Sequence, residues 1–250
     1  MPISLSLSLS RSRAAPLLAL ICAPALALIC VPALAHAADF NIPDASPQYG
    51  ARIHVETCDK ESCSGPARIE LYRRADKSLV QRFETEDLAI LLDDKKQPAT
   101  NVTQLYSDQS AIIIADFNFD GSEDLAIRNG NNGGYGGPSY DVYVYYATKK
   151  QFVPAADLTE LASSKLGMFQ VDAKRKRLIT FEKSGCCWHM TTEYAVVPGK
   201  GLLDVYSKEE AVRADGERVD VIVSERVEAK AGGQWRKSKR TYRVSEYYKQ

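Results

Sequence analysis

The feature that most constrains this chain is a succession of short runs with the two-residue period of β-strands, separated by clusters of Gly, Pro, Asn and Asp. Arg52-Ile-His-Val-Glu56, Arg68-Ile-Glu-Leu-Tyr72 and Tyr140-Asp-Val-Tyr-Val-Tyr-Tyr146 alternate polar and apolar residues, as antiparallel strands with one buried face do. Ala111-Ile-Ile-Ile-Ala115 is apolar throughout and is expected to be a central strand. Further strands are expected at 79–83, 88–92, 125–128, 168–171, 177–182, 193–197 and 202–206, and the tail over 218–247 reads as a long hairpin turning at Gly232-Gly233. Only 157–164 carries a helical pattern, and it is short. About a dozen antiparallel strands with one short helix define an all-β fold, propeller-like or a sandwich. Residues 46–50 and those just before them read as a loose lead-in. No linker divides the remainder, so 38–250 is expected to form one domain.

The first 37 residues differ in kind. They hold Arg11 and Arg13 but no acid, then an uncharged run from Ala14 to Ala35, then the small-x-small sequence Ala35-His36-Ala37. This is the layout of a secretory signal peptide cut after Ala37. Pro16, Pro24 and Pro32 interrupt the apolar run, which argues against a retained membrane anchor. Cys22 and Cys30 each follow Ile, where a lipoprotein signal places a small residue. An exported, periplasmic protein with no stable membrane anchor after cleavage is expected.

Charge then narrows the partners. The full chain balances 32 Lys+Arg against 32 Asp+Glu, and the leader takes only cations with it, so the exported chain is slightly acidic. A nucleic-acid binder needs an excess of Lys and Arg to displace counterions, so none is expected. The basic tracts at 174–177 and 236–240 have acids nearby and read as solvated faces.

Four cysteines follow the leader: Cys58, Cys63, Cys186 and Cys187. Export makes disulfides the expectation. Either Cys58 pairs with Cys63 and Cys186 with its neighbour, or each of the late pair bridges back to one of the early pair. Long loops would gain the more stabilisation on closure. A zinc site would have to draw on His54 and His189, which lack suitable ligand spacing.

The sharpest motif is Asp116-Phe-Asn118-Phe-Asp120-Gly121-Ser122-Glu123-Asp124. Alternate positions place Asp116, Asn118 and Asp120 toward one centre and turn Phe117 and Phe119 away into the core. Gly121 allows a sharp turn, Ser122 offers its carbonyl, and Asp124 offers a further carboxylate. That is the pattern of an oxygen cage for calcium, in the order of the first nine positions of an EF-hand loop, the other reading being an Asx-rich β-turn that holds no metal. Strands on both sides replace the EF-hand helices. A cation there is expected to pin two strands and hold the base of the loop that follows.

That next loop, Asn129-Gly-Asn-Asn-Gly-Gly-Tyr135-Gly-Gly-Pro-Ser139, sets one aromatic among five glycines. No Lys-Ser/Thr follows, so a phosphate cradle is excluded. A tyrosine on a Gly/Asn-rich loop is how binding loops offer contact area at low entropic cost. Gly133, Gly134, Tyr135, Gly136 and Gly137 are therefore candidate partner-binding residues, the other reading being a plain flexible hairpin connection. No nucleophile elbow, zinc-protease or nucleotide motif occurs, and His189 within Ser184-Gly-Cys-Cys-Trp-His189 reads as structural. The chain is not expected to be an enzyme.

The acidic loop is similar to that of the FG-GAP/VCBS repeat families, which carry it several times where this chain has it once. The export leader, the Asp116–Asp124 loop, the Gly-Gly-Tyr135-Gly-Gly loop and the late Ser-Gly-Cys-Cys-Trp segment together resemble periplasmic immunity proteins of bacteria-killing type IV secretion systems. The resemblance implies a propeller-like fold, bound calcium, and inhibition of a lysozyme-like peptidoglycan hydrolase by a loop entering its cleft. Gly134-Tyr135 is the matching loop here, although the Ser-Gly-x-Tyr motif of type I lysozyme inhibitors is not reproduced. The alternative expectation is a calcium-dependent glycan-binding or adhesion module.

Overall fold

The computed structural model describes residues 36–228 and 234–249. It is all-β, with fourteen antiparallel strands in three sheets. The first sheet is a four-stranded meander of β1 (His36–Ile42), β2 (Tyr49–Cys58), β3 (Ser62–Arg73) and β4 (Leu79–Leu91). The second is another, of β5 (Ile112–Ala115), β6 (Asp124–Arg128), β7 (Tyr140–Tyr146) and β8 (Gln151–Pro154). Helix α1 (Ala156–Ser163) leads to the third. That sheet holds β9 (Gln170–Asp172), β10 (Arg177–Ser184), β11 (Trp188–Val197), β12 (Gly201–Asp215), β13 (Arg218–Glu228) and β14 (Trp235–Arg243), again in chain order. A last turn, α2 (Val244–Tyr247), follows. Within each sheet every strand pairs with its neighbours in sequence, and among the described residues no sheet closes into a barrel. Of the two expected architectures, the layered one is built and the propeller is not.

The middle sheet organises the rest because both its faces are buried. Ile112, Ile114, Leu125 and Ile127 join the core formed with β1–β4 and Phe152. The alternate residues Ile113, Ala126, Tyr140 and Val142 join a second core with α1, Met168, Phe169 and Leu178. Two-sided burial is why 111–115 carries no polar residue, whereas β2 and β3, with one outer face, alternate. Aromatic edges lock both cores: Phe83 meets Tyr143 at 4.9 Å and Phe117 meets Phe169 at 5.4 Å, both edge to face.

Several expectations are corrected. The segment before Tyr49 is not a loose lead-in: β1 pairs along β2 from Asp39↔His54 to Ile42↔Ala51, and Ser46 and Tyr49 are buried. The runs at 79–83 and 88–92 are one strand, carried across a bulge where β3 advances from Gly65 to Ala67 while β4 goes from Leu88 to Thr85. Met168 and Phe169 serve the second core, and the strand there is only Gln170–Asp172. β8 was missed, being four residues with little alternation. The tail hairpin ends in the α2 turn, and its Gly232-Gly233 turn lies outside the described residues. So do nearly all of the expected leader and Cys22 and Cys30, with β1 beginning at His36.

The cysteines take the local pairing, Cys58–Cys63 and Cys186–Cys187. Cys58 and Cys63 face each other at the end of the β2–β3 hairpin, so register brings them together and no long loop is closed. Two disulfides fit an exported protein, and among the described residues no helix is long and apolar enough to cross a membrane.

Candidate functional site

The acidic loop joins β5 to β6. Its phenylalanines turn inward as their spacing predicts, Phe117 fully buried and Phe119 packed against the same core, and Gly121 takes a left-handed φ of 93°. The polar side chains serve the loop itself. Asp116 accepts the amides of Asp120 (3.1 Å) and Gly121 (2.9 Å), Asn118 accepts that of Asp120 (2.9 Å), and Asp120 accepts that of Ser122 (2.8 Å). The Asn118 amide also donates to Asp120 at 3.0 Å. Asp124 stands apart. It is wholly buried, with one oxygen accepting the Phe117 and Asn118 amides (2.8 and 3.3 Å) and the other the Tyr145 amide (2.9 Å). Burial pushes its pKa up to about 7, against the pull of those three amides. Ser46 donates to Glu123 at 2.7 Å and ties the loop to the first sheet.

The donor set is all oxygen, the chemistry a hard cation takes. Asp116, Asn118, Asp120 and Ser122 lie along one arc of the loop, while Asp124 is directed at main-chain amides. Among the described residues no three His, Cys, Asp or Glu side chains converge as a metal set.

The glycine loop joins β6 to β7 and is tightly built. Gly133 and Gly137 bond across it (Gly133 N–H to Gly137 O, 3.0 Å), and Gly134 N–H donates to Lys165 O at 2.7 Å. A Cβ on Gly133 would lie 2.7 Å from Pro138 O and 2.9 Å from Gly137 O, and one on Gly134 would lie 3.2 Å from Lys165 O. The glycines at 133 and 134 therefore permit close backbone approach, and Gly136 supplies a φ of 69°. Tyr135 rides on a single 3-10 turn with φ 58° and ψ 29°, a left-handed conformation unfavourable for an aromatic residue. Its ring is 65% exposed. Its hydroxyl accepts the Gly185 amide at 2.5 Å.

Gly185 belongs to the turn between β10 and β11, beside the Cys186–Cys187 disulfide. Lys183, at the end of β10, holds its ammonium 4.8 Å from the centre of the Tyr135 ring and 5.1 Å from that of Tyr106. Tyr106, on the β4–β5 connection, is 70% exposed and also left-handed, with φ 61°. That connection is anchored by buried Gln109, which donates to Thr103 O (3.2 Å) and accepts the Met168 amide (2.8 Å). Three segments thus assemble one ridge, Tyr106–Lys183–Tyr135. Tyr106 and Lys183 were missed by sequence reasoning. Nothing local marks Lys183, and Tyr106 differs from other tyrosines only in its polar surroundings.

The two expected sites are not one. The acidic and glycine loops leave opposite ends of β6, roughly 15 Å apart at the rise of an extended strand. The acidic loop therefore does not form the base of the tyrosine loop; Lys165, Gly185 and Lys183 do. Nor do the histidines meet. His54 lies in β2 and pairs with Asp39 at 2.9 Å, while His189 sits in β11 between Lys183 and Glu210.

No protein-family model and no curated protein matches the chain. A solved structure described as that of a Xanthomonas type IV secretion system related protein does match. The alignment has a TM-score of 0.55 and 19% sequence identity, and covers 82% of this chain and 99% of the other. At that identity the likeness establishes a shared fold.

Proposed function

We propose that this chain is an exported, periplasmic inhibitor of a lysozyme-like peptidoglycan hydrolase, acting as an immunity protein. The observation that carries the reading is Tyr135, a largely exposed aromatic with a left-handed backbone, fixed by a loop whose glycines at 133 and 134 permit close backbone approach and by the bond of its hydroxyl to Gly185. Strain of this kind persists only where surrounding structure enforces it, and it gathers at ligand-contacting sites. The fold shared with a type IV secretion related protein supports the same reading, and so does the resemblance of the two loops and the cysteine segment to secretion-system immunity proteins. The chain would do no chemistry of its own. It would deny substrate to another enzyme by filling the cleft.

Calcium belongs to the proposal in a structural role. Asp116, Asn118, Asp120 and the Ser122 carbonyl would hold it, with Asp124 anchoring the loop beneath. When bound, it would neutralise carboxylates now satisfied by amides and stiffen the far end of the middle sheet. The test is turnover of peptidoglycan by a panel of muramidases with the chain from Ala38 onward added. Wild type is expected to inhibit at least one, and Tyr135→Ala to lose that inhibition. Inhibition of none would defeat the function; full inhibition by Tyr135→Ala would defeat the loop. The neighbouring rings of Tyr106 and Tyr135 favour a second reading, a calcium-dependent glycan-binding or adhesion module, because exposed aromatic faces also stack on sugars. Binding to a glycan array only with calcium, without hydrolase inhibition, would select it.

A further inference from the structure

Lys183 has the setting of a recognition group. Its neighbour in the same region, Lys165, is paired with Glu182 at 2.8 Å. Lys183 has no ion pair among the described residues, and its cross-strand partner is His189. Instead its ammonium lies against two aromatic rings, 4.8 Å from the centre of Tyr135 and 5.1 Å from that of Tyr106. Cation–π contact on two sides holds a flexible side chain in place while leaving its charge uncancelled. Both rings belong to residues with left-handed backbones, Tyr106 at φ 61° and Tyr135 at φ 58°, and both are largely exposed. A pre-ordered cation between two flat rings is a unit that binds without a large ordering cost.

Its complement is an anionic cleft with room for a planar group on each side. Glycan hydrolases provide one: two carboxylates flank the scissile bond and stabilise a transition state with positive charge on the sugar ring. Resting on the inhibitor reading above, we infer that Lys183 Nζ engages the carboxylate pair of the hydrolase. Tyr106 and Tyr135 occupy the sugar subsites on either side. The ridge then imitates the positive charge of the transition state and the flanking rings of the glycan. Lys183 sets the specificity for carboxylate-bearing clefts, and Tyr106 is the second contact residue.

The experiment measures inhibition and binding of a muramidase that the wild-type chain inhibits, using Lys183→Met, Lys183→Gln, Tyr106→Ala and Tyr135→Ala. Inhibition is assayed against the active hydrolase, and binding against both that enzyme and its variant with the ionised carboxylate of the pair changed to the amide. Lys183→Met keeps the aliphatic stem and removes the charge, and Lys183→Gln replaces it should Met fail to fold. The expected result is a loss of 30-fold or more for Lys183→Met and about 10-fold for Tyr106→Ala. The hydrolase carboxylate change is expected to weaken wild type but leave the Lys183→Met complex unaffected, so that the two changes are not additive. If Tyr135→Ala abolishes inhibition while Lys183→Met matches wild type, or if the two changes add, the Lys183 assignment is overturned and the inhibitor reading stands. If no muramidase is bound, both are overturned.

Discussion

The two loops at the ends of β6 show how one strand can carry opposite solutions to the same problem. The acidic loop folds in on itself. Its carboxylates accept its own amides, two phenylalanines anchor it, and Asp124 is buried under three main-chain donors. The glycine loop removes side chains so that backbone can approach backbone, and it spends the rigidity gained on one exposed ring. The first loop concentrates stability and the second concentrates contact. Mutations should therefore divide by readout: changes at 116–124 should move unfolding alone, whereas changes at 133–137 should move partner binding, with a stability cost only where a close-packed glycine is replaced.

The largest effect expected is on stability from Asp124→Ala. It strips partners from the buried Phe117 amide and the partly buried Asn118 and Tyr145 amides, and at about 1–3 kcal/mol for a buried donor left unpaired the loss should be about 2–4 kcal/mol. Urea unfolding measures it, and a loss under 1 kcal/mol would show that Asp124 is not the anchor. Calcium comes next. At ten to a hundred times its dissociation constant, binding to the folded chain alone should add about 1.4 to 2.7 kcal/mol, reversed by chelator. An unchanged melting temperature in millimolar calcium would remove the metal from the proposal. Gly133→Ala should cost about 1–3 kcal/mol, because its Cβ meets carbonyl oxygens that cannot move independently. Unlike the two acidic-loop tests, it should also abolish hydrolase inhibition.

The smallest expected effect on stability is the most telling. Tyr135→Gly relieves a left-handed aromatic but gives up the hydroxyl bond to Gly185 and the ring contact with Lys183, so unfolding should shift by no more than about 1 kcal/mol while inhibition disappears. A protein made no less stable by losing its binding residue would place the strain of Tyr135 in the service of contact. Marked destabilisation would return the ring to a structural role.

Much of the fold was legible because it depends on local periodicity. Residues 111–115 announced a strand buried on both faces, and 116–124 announced a tight loop with inward phenylalanines, since alternation and left-handed glycine are properties of adjacent residues. β1 was missed for the converse reason. Its residues border the apolar leader and show no clean alternation, and only pairing with β2 defines them as strand. The expectation that the acidic loop would support the tyrosine loop was wrong for a reason available in the sequence. Successive hairpins of an antiparallel meander must leave opposite ends of their shared strand.

The candidate site divides in the same way. Tyr135 stood out by composition, because a single aromatic among five glycines has nothing nearby to pack against. Its partners did not stand out, since residues 106 and 183 are remote in sequence and chemically ordinary there.

By itself, then, the sequence determined an all-β chain, the identities of its two distinctive loops, and the single tyrosine set among glycines, all through interactions within a few residues. Only the tertiary structure decided that Asp124 faces amides, that the cysteines pair locally, and that Tyr106, Lys183 and Tyr135 form one ridge. Those outcomes depend on which strand ends meet when three sheets layer on two cores, and the packing of the whole chain sets that.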